Sequence, residues 1–207
     1  KSQGYWLTTS SGSLYSFGAV ADYGSAISMS SNAPIVDQVA TPGGKGYRMV
    51  SSLGGVFTFG DAGFYGSTGA LTLNKPIVGM ATTPNGKGYW LVASDGGVFS
   101  FGDAGFYGST GSLTLNKPVV GIATTSNGKG YWLAASDGGI FAFGNAGFHG
   151  STGSLVLNKP ITGVQSTADG AGYWLVASDG GVFAFGDADY LGSASNDRLT
   201  YAAIAIS

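Results

Sequence analysis

Residues 118–151 read PVVGIATTSNGKGYWLAASDGGIFAFGNAGFHGS. Four short extended runs lie between turn signals: a (119–125), b (131–136), c (140–144) and d (147–151). Asn127-Gly128 and Asp137-Gly138 are two-residue hairpin signals, because both central positions of such turns favour positive φ. The stretch therefore predicts a four-stranded antiparallel meander. Run b is apolar on both faces: in the copy at 89–94, Tyr89, Leu91 and Ala93 alternate with Trp90, Val92 and Ser94. A sheet wetted on one side would alternate more cleanly, so each sheet is expected between two others, about 10 Å away.

The unit repeats without a slip. Tyr5, Tyr47, Tyr89, Tyr131 and Tyr173 are each 42 residues apart, as are Pro34, Pro76, Pro118 and Pro160, and Phe17, Phe59, Phe101, Phe143 and Phe185. Five units need 5 × 42 = 210 residues and the chain has 207. Four-stranded sheets recurring every 40–50 residues or so describe β-propeller blades. The expected fold is all-β, one five-bladed β-propeller over 1–207 with four-stranded antiparallel blades. Blades two to five cover 34–67, 76–109, 118–151 and 160–193, and blade one joins 4–25 to 202–207. The last run, Ala203-Ile204-Ala205-Ile206, comes one period after run a of the unit before it. It is expected to pair into the N-terminal blade and close the ring, since an open solenoid would need polar caps at both ends.

Composition removes several classes. Glycine is 38 of 207, about 18%, against a usual share of about 7%, and charged residues are 10% against about 25%. There are eleven Asp and no Glu. Such a chain is neither helical nor, with 43% hydrophobic residues, disordered. A net charge of −2 offers no basic patch, so nucleic acid is not an expected partner. Absence of cysteine removes disulfides, thiolate metal sites and cysteine nucleophiles. No apolar run approaches a membrane span, so no membrane partner is expected. Lys1-Ser2-Gln3-Gly4 leads straight into a strand pattern without a signal peptide, and the chain reads as cytosolic, processed or a fragment. A monomer is expected.

Residues 88–109, GYWLVASDGGVFSFGDAGFYGS, resemble a tandem repeat of 42 residues in secreted actinobacterial β-propeller proteins, where it often sits beside peptidase, esterase or cell-wall hydrolase domains. The string is also similar to the repeats of quinoprotein-type propellers. The resemblance covers the whole chain and implies an extracellular or cell-surface location and an accessory or binding role.

Candidate chemistry is sparse. His149 is the only histidine and stands where other units carry Tyr23, Tyr65, Tyr107 and Leu191; it is expected on the outer surface, without the nucleophile and carboxylate of a triad. Asp61, Asp103, Asn145 and Asp187 recur in the c–d turn, one per unit, where turn capping explains them better than a calcium cage of six to eight oxygens or so. No metal, cofactor or catalytic residue is expected, and the chain is read as not an enzyme. In an up-and-down blade the b–c turn and the d–a connection open on one face. The first holds Asp95, Asp137 and Asp179; the second holds Asn74-Lys75, Asn116-Lys117 and Asn158-Lys159. Acceptors and donors in such a set suit vicinal hydroxyls. Trp6, Trp90, Trp132 and Trp174 are read as core, with sugar stacking as the alternative; Arg48 in the second unit shows that the role is dispensable there. The expected function is lectin-like recognition of polysaccharide or cell wall. The alternative is a protein-interaction scaffold beside a partner or an adjacent catalytic domain.

Overall fold

The computed structural model describes residues 4–29, 33–195, 197, 199 and 201–203. Every regular element among them is a β-strand. The chain divides into two compact units, Lys1–Ala93 with Val98–Ala104, and Ser94–Gly97 with Gly105–Ser207. The first unit holds β1 (Gly4–Thr8) and β2 (Leu14–Gly18), then β3 (Ile35–Ala40), β4 (Gly46–Ser51) and β5 (Val56–Gly60), then β6 (Ile77–Thr82), β7 (Gly88–Ala93) and β8 (Val98–Gly102). The second holds β9 (Val119–Thr124), β10 (Gly130–Ala135) and β11 (Ile140–Gly144), then β12 (Ile161–Ser166), β13 (Gly172–Ala177) and β14 (Val182–Gly186). Among the described residues all pairings are antiparallel between neighbours in sequence, giving one two-stranded and four three-stranded sheets.

Run b is the middle strand of each three-stranded sheet, and β4, β7 and β10 are buried at every residue. In β4 the two apolar faces pack against different neighbours: Tyr47 and Met49 join Trp6 and Leu14, and Val50 joins the following sheet. In the second unit Trp132 and Ala134 of one sheet meet Ile161, Val164, Tyr173 and Leu175 of the next. In the first unit Val50 of one sheet joins Ile77, Met80, Tyr89 and Leu91 of the next. Each fully buried Leu or Ile contributes about 1.5–3 kcal/mol.

Run d, expected as a fourth strand, is not one. Its polar groups are taken by a side chain instead of a ladder. The Tyr173 hydroxyl accepts from the His149 N–H (3.1 Å) and donates to the Gly150 carbonyl (2.6 Å). Tyr47 holds Tyr23 and Gly24 in the same way, Tyr89 holds Tyr65 and Gly66, and Tyr131 holds Tyr107 and Gly108. The gripped glycine has positive φ, +133° at Gly150, which removes the segment from a strand conformation. One hydroxyl in the following repeat thus replaces the hydrogen bonds of a fourth strand, and four of the five sheets among the described residues are three-stranded rather than four-stranded.

The b–c turn also differs from expectation. Ala135 accepts from the Gly138 N–H (2.8 Å) and donates to Gly139 O (2.8 Å). Only Gly138 has positive φ there (+78°), and among the described residues no other residue type does. That pattern fits the three-residue loop in which a tight turn is followed by a left-handed glycine.

One backbone-to-backbone hydrogen bond also recurs from each repeat to the next. Ile35 donates to Ser10 O, Ile77 to Ser52 O, Val119 to Ser94 O, Ile161 to Ser136 O and Ala203 to Ser178 O, at 2.8–3.0 Å. The closing strand expected over 202–207 falls mostly on 204–207, outside the described residues.

Candidate binding face at the b–c turns

Asp137 sits half-buried in its turn, and its Oδ1 accepts from the Gly139 N–H (3.0 Å). The buried Thr152 hydroxyl donates to the Asp137 carbonyl (3.2 Å), fixing the turn from beneath. The bond from Ile161 N to Ser136 O lays the exposed Asn158-Lys159 connection beside that turn. The third repeat builds the same arrangement: Asp95 Oδ1 accepts from Gly97, Thr110 holds the Asp95 carbonyl, and Val119 N–H on Ser94 O brings in Asn116-Lys117. Asp179 accepts from the Gly181 N–H (3.1 Å), but its repeat lacks the Asn-Lys pair. In the second repeat Leu53 replaces the aspartate. There Ser52, Leu53, Leu71, Leu73, Lys75 and Pro76 line a cleft of about 330 Å³, whose wall also includes Asn74. Leu71, Leu113 and Leu155 are exposed at equivalent positions of their repeats.

The tryptophans are elsewhere. Trp90 and Trp132 are fully buried, and Trp132 Nε1 donates to the Gly147 carbonyl (2.6 Å). Trp174, half-buried, donates in the same way to Asp189 O (2.8 Å). Trp132 precedes Asp137 by five residues, about 15 Å along an extended strand, so one sugar ring does not reach both. The stacking role is closed to Trp90 and Trp132 by burial, and these residues do not belong to the polar face.

His149 lies in the core-facing stack rather than on the outer surface. Its ring is 6.2 Å from Trp132 and 5.7 Å from Tyr173, and it is half-buried. The c–d turn residues form internal networks. Asp103 takes the Thr83 hydroxyl (3.0 Å) and the Asn85 amide (2.6 Å), while Asn145 takes the Thr125 hydroxyl (3.0 Å) and donates to Asn127 (3.0 Å). In the fifth repeat Thr167 bridges Asp169 and Asp187; the Ala171 N–H and the Thr167 hydroxyl hold the exposed Asp169 carboxyl below its ordinary range. Burial pushes the Tyr47, Tyr89, Tyr131 and Tyr173 hydroxyls up, so they stay protonated donors to their glycine carbonyls.

Two features escaped the sequence reading. Asp37 replaces the glycine found at 79, 121 and 163, and that departure from the repeat was the available signal. Its carboxylate accepts from the Gln38 N–H (2.7 Å) and, across to β6, from the Met80 N–H (2.8 Å). Burial raises its pKa to about 6 against the pull of those two donors. At the corresponding place in the second unit, a Cβ on Gly121 would point at Val164, 3.3 Å from Cγ1 and 3.8 Å from the amide nitrogen. The second feature is a set of exposed aromatics, Phe64, Phe106, Phe148 and Tyr190, at one position of four repeats. Among the described residues no helix is long and apolar enough to cross a membrane. No protein-family model matches the chain, and no curated protein matches it.

Proposed function

We propose that this chain is a non-catalytic binding module of a secreted or cell-surface protein, recognising polysaccharide or cell wall through repeated sites on the b–c turn face. The supporting observation is that two successive repeats bring the same set together: Asp95 with Asn116-Lys117, and Asp137 with Asn158-Lys159. Each Asp spends one oxygen on its own turn, while the exposed lysine and asparagine supply donors. Acceptors beside donors match vicinal hydroxyls, and weak sites repeated on one chain gain avidity on a polymer. In the same reading the five sheets are blades of one propeller, with the 202–207 run supplying the third strand of the first blade. The recurrence of the interrepeat bond as far as Ala203 supports that register.

The test is retention of the purified chain on a panel of soluble and insoluble glycans, peptidoglycan included. Retention by wild type that falls in the D95A/D137A double variant is expected. Unchanged retention in that variant refutes these sites. The scaffold reading is favoured by one observation, the leucine-lined cleft of the second repeat, which suits an apolar side chain of a protein partner or adjacent domain. A one-to-one protein complex insensitive to free sugars is its signature.

A further inference from the structure

Phe64, Phe106, Phe148 and Tyr190 are 58%, 61%, 64% and 61% exposed. They are 42 residues apart, and the first repeat has Asp22 at this position. Single exposed aromatics are ordinary, but these stand on backbone that the interior holds in place. On one side of Phe148 the Gly147 carbonyl accepts from Trp132 Nε1 (2.6 Å); on the other the His149 N–H donates to the Tyr173 hydroxyl (3.1 Å). Phe64 is held equally: Gly63 O accepts from Arg48 Nε (3.0 Å) and Tyr65 N–H donates to Tyr89 (3.1 Å). The Tyr107 N–H beside Phe106 goes to Tyr131 (3.1 Å), and the Asp189 carbonyl beside Tyr190 accepts from Trp174 (2.8 Å). In the fifth repeat the flanking Gly and Tyr have become Asp189 and Leu191, yet an aromatic remains between them.

A ring on a fixed backbone, with only two side-chain torsions to order, binds at small entropic cost. We propose that Phe64, Phe106, Phe148 and Tyr190 are preorganised stacking platforms, each for the apolar face of one sugar ring of a repeating polysaccharide. This rests on the polysaccharide reading above and adds a site beside run d to four of the five repeats, the first having Asp22 there. A repetitive polymer is the fitting occupant because the four rings recur at one position of successive repeats on equivalently held backbone, matching a ligand that presents the same unit again and again. A folded protein partner would call for apolar residues gathered into one patch.

The experiment compares wild type, F64A/F106A/F148A/Y190A, the aromatic-retaining F64Y/F106Y/F148Y, and D95A/D137A. Each is titrated against the insoluble polysaccharide that retains wild type best, with peptidoglycan as the default, and against phosphatidylcholine vesicles. Thermal melts confirm that each variant folds. The expected result is at least a tenfold loss of polysaccharide affinity in the quadruple alanine variant, near-wild-type affinity in the tyrosine variant, and no vesicle binding. Unchanged affinity in the quadruple variant with loss in D95A/D137A overturns the platforms and leaves the polysaccharide reading standing. No retention of wild type on any polysaccharide overturns both, and vesicle binding lost in the quadruple variant reassigns the rings to a lipid surface.

Discussion

The second and fourth repeats fold one backbone around different side chains. In the fourth, Trp132 lies 6.2 Å from the His149 ring and 5.6 Å from Tyr173, with its N–H on the Gly147 carbonyl. In the second, Arg48 fills that slot, fully buried. Its Nε donates to Gly63 O (3.0 Å), as the indole does to Gly147, and its two terminal nitrogens reach Thr82 (3.2 Å) and the Gly86 carbonyl (2.8 Å). The guanidinium stands 5.6 and 5.2 Å from the Tyr65 and Tyr89 rings. The slot therefore asks for a flat group with one N–H in a fixed direction between two aromatic rings. Indole meets that demand by ring packing, and guanidinium by cation–π attraction and extra hydrogen bonds. Burial still lowers the Arg48 pKa, with the Tyr65, Tyr89 and Asp61 side chains opposing that fall.

The largest expected effect breaks the slot itself. Trp132→Ala is expected to cost about 3–5 kcal/mol in urea unfolding, the usual range for a buried aromatic. Arg48→Ala belongs in the same range because it orphans three acceptors as well as leaving a cavity. Arg48→Trp sharpens the comparison: the indole restores the bond to Gly63 O but leaves the Thr82 and Gly86 acceptors and adds volume, so a loss of about 1–3 kcal/mol, smaller than that of Arg48→Ala, is expected. A loss as large as that of Arg48→Ala would show that the two repeats are not equivalent.

Next comes the tyrosine clamp. Tyr173→Phe leaves the Gly150 carbonyl and His149 N–H without their partner and is expected to cost about 1–3 kcal/mol, with amide exchange at His149 accelerated. Equal exchange in both proteins would mean that the hydroxyl does not hold the segment.

Asp37 separates the two repeats by pH. Its folded pKa, about 6, lies above the ordinary aspartate value of 3.8, so between those values the folded chain binds more protons than the unfolded one. Stability therefore falls as pH rises through that window, and the penalty is fully present above about pH 6. Asp37→Gly, which restores the residue of the other repeats, is expected to gain on wild type as pH rises from 4 to 6 and to lead by roughly 1–2 kcal/mol at pH 7, after losing two backbone bonds. Parallel stability curves across that window would contradict the burial argument.

The smallest effect on stability and the most specific on binding is Leu53→Asp. It gives the second repeat the aspartate of the third and fourth beside its own Asn74-Lys75. A stability change within about 0.5 kcal/mol is expected, with one added polysaccharide site by titration. An unchanged stoichiometry would tell against the aspartate as the site's determinant.

The strand register was legible because run b carries apolar residues on both faces and glycines mark the turns. Observed strands β9, β10 and β11 start or end within one residue of runs a, b and c. Run d was misread for a physical reason. A short Gly-flanked apolar run has the same appearance whether its polar groups enter a ladder or a tyrosine hydroxyl, and the hydroxyl lies 24 residues further along the chain. Trp132 and Phe148 are both large aromatics, and hydrophobicity alone does not rank them. Their burial differs because Trp132 lies mid-strand between two packed faces, whereas Phe148 lies beside Gly147 outside any strand. Asp37 was visible as a broken repeat, but its meaning depends on the Met80 amide that only the fold brings to it.

The central claim is repeated recognition of a polymeric glycan. Its most direct test is calorimetric titration of the intact chain with oligosaccharides cut from the polysaccharide that retains it. The account requires more than one oligosaccharide per chain, with the number falling in D95A/D137A. No binding to any glycan, or a single site indifferent to that double variant, would contradict it.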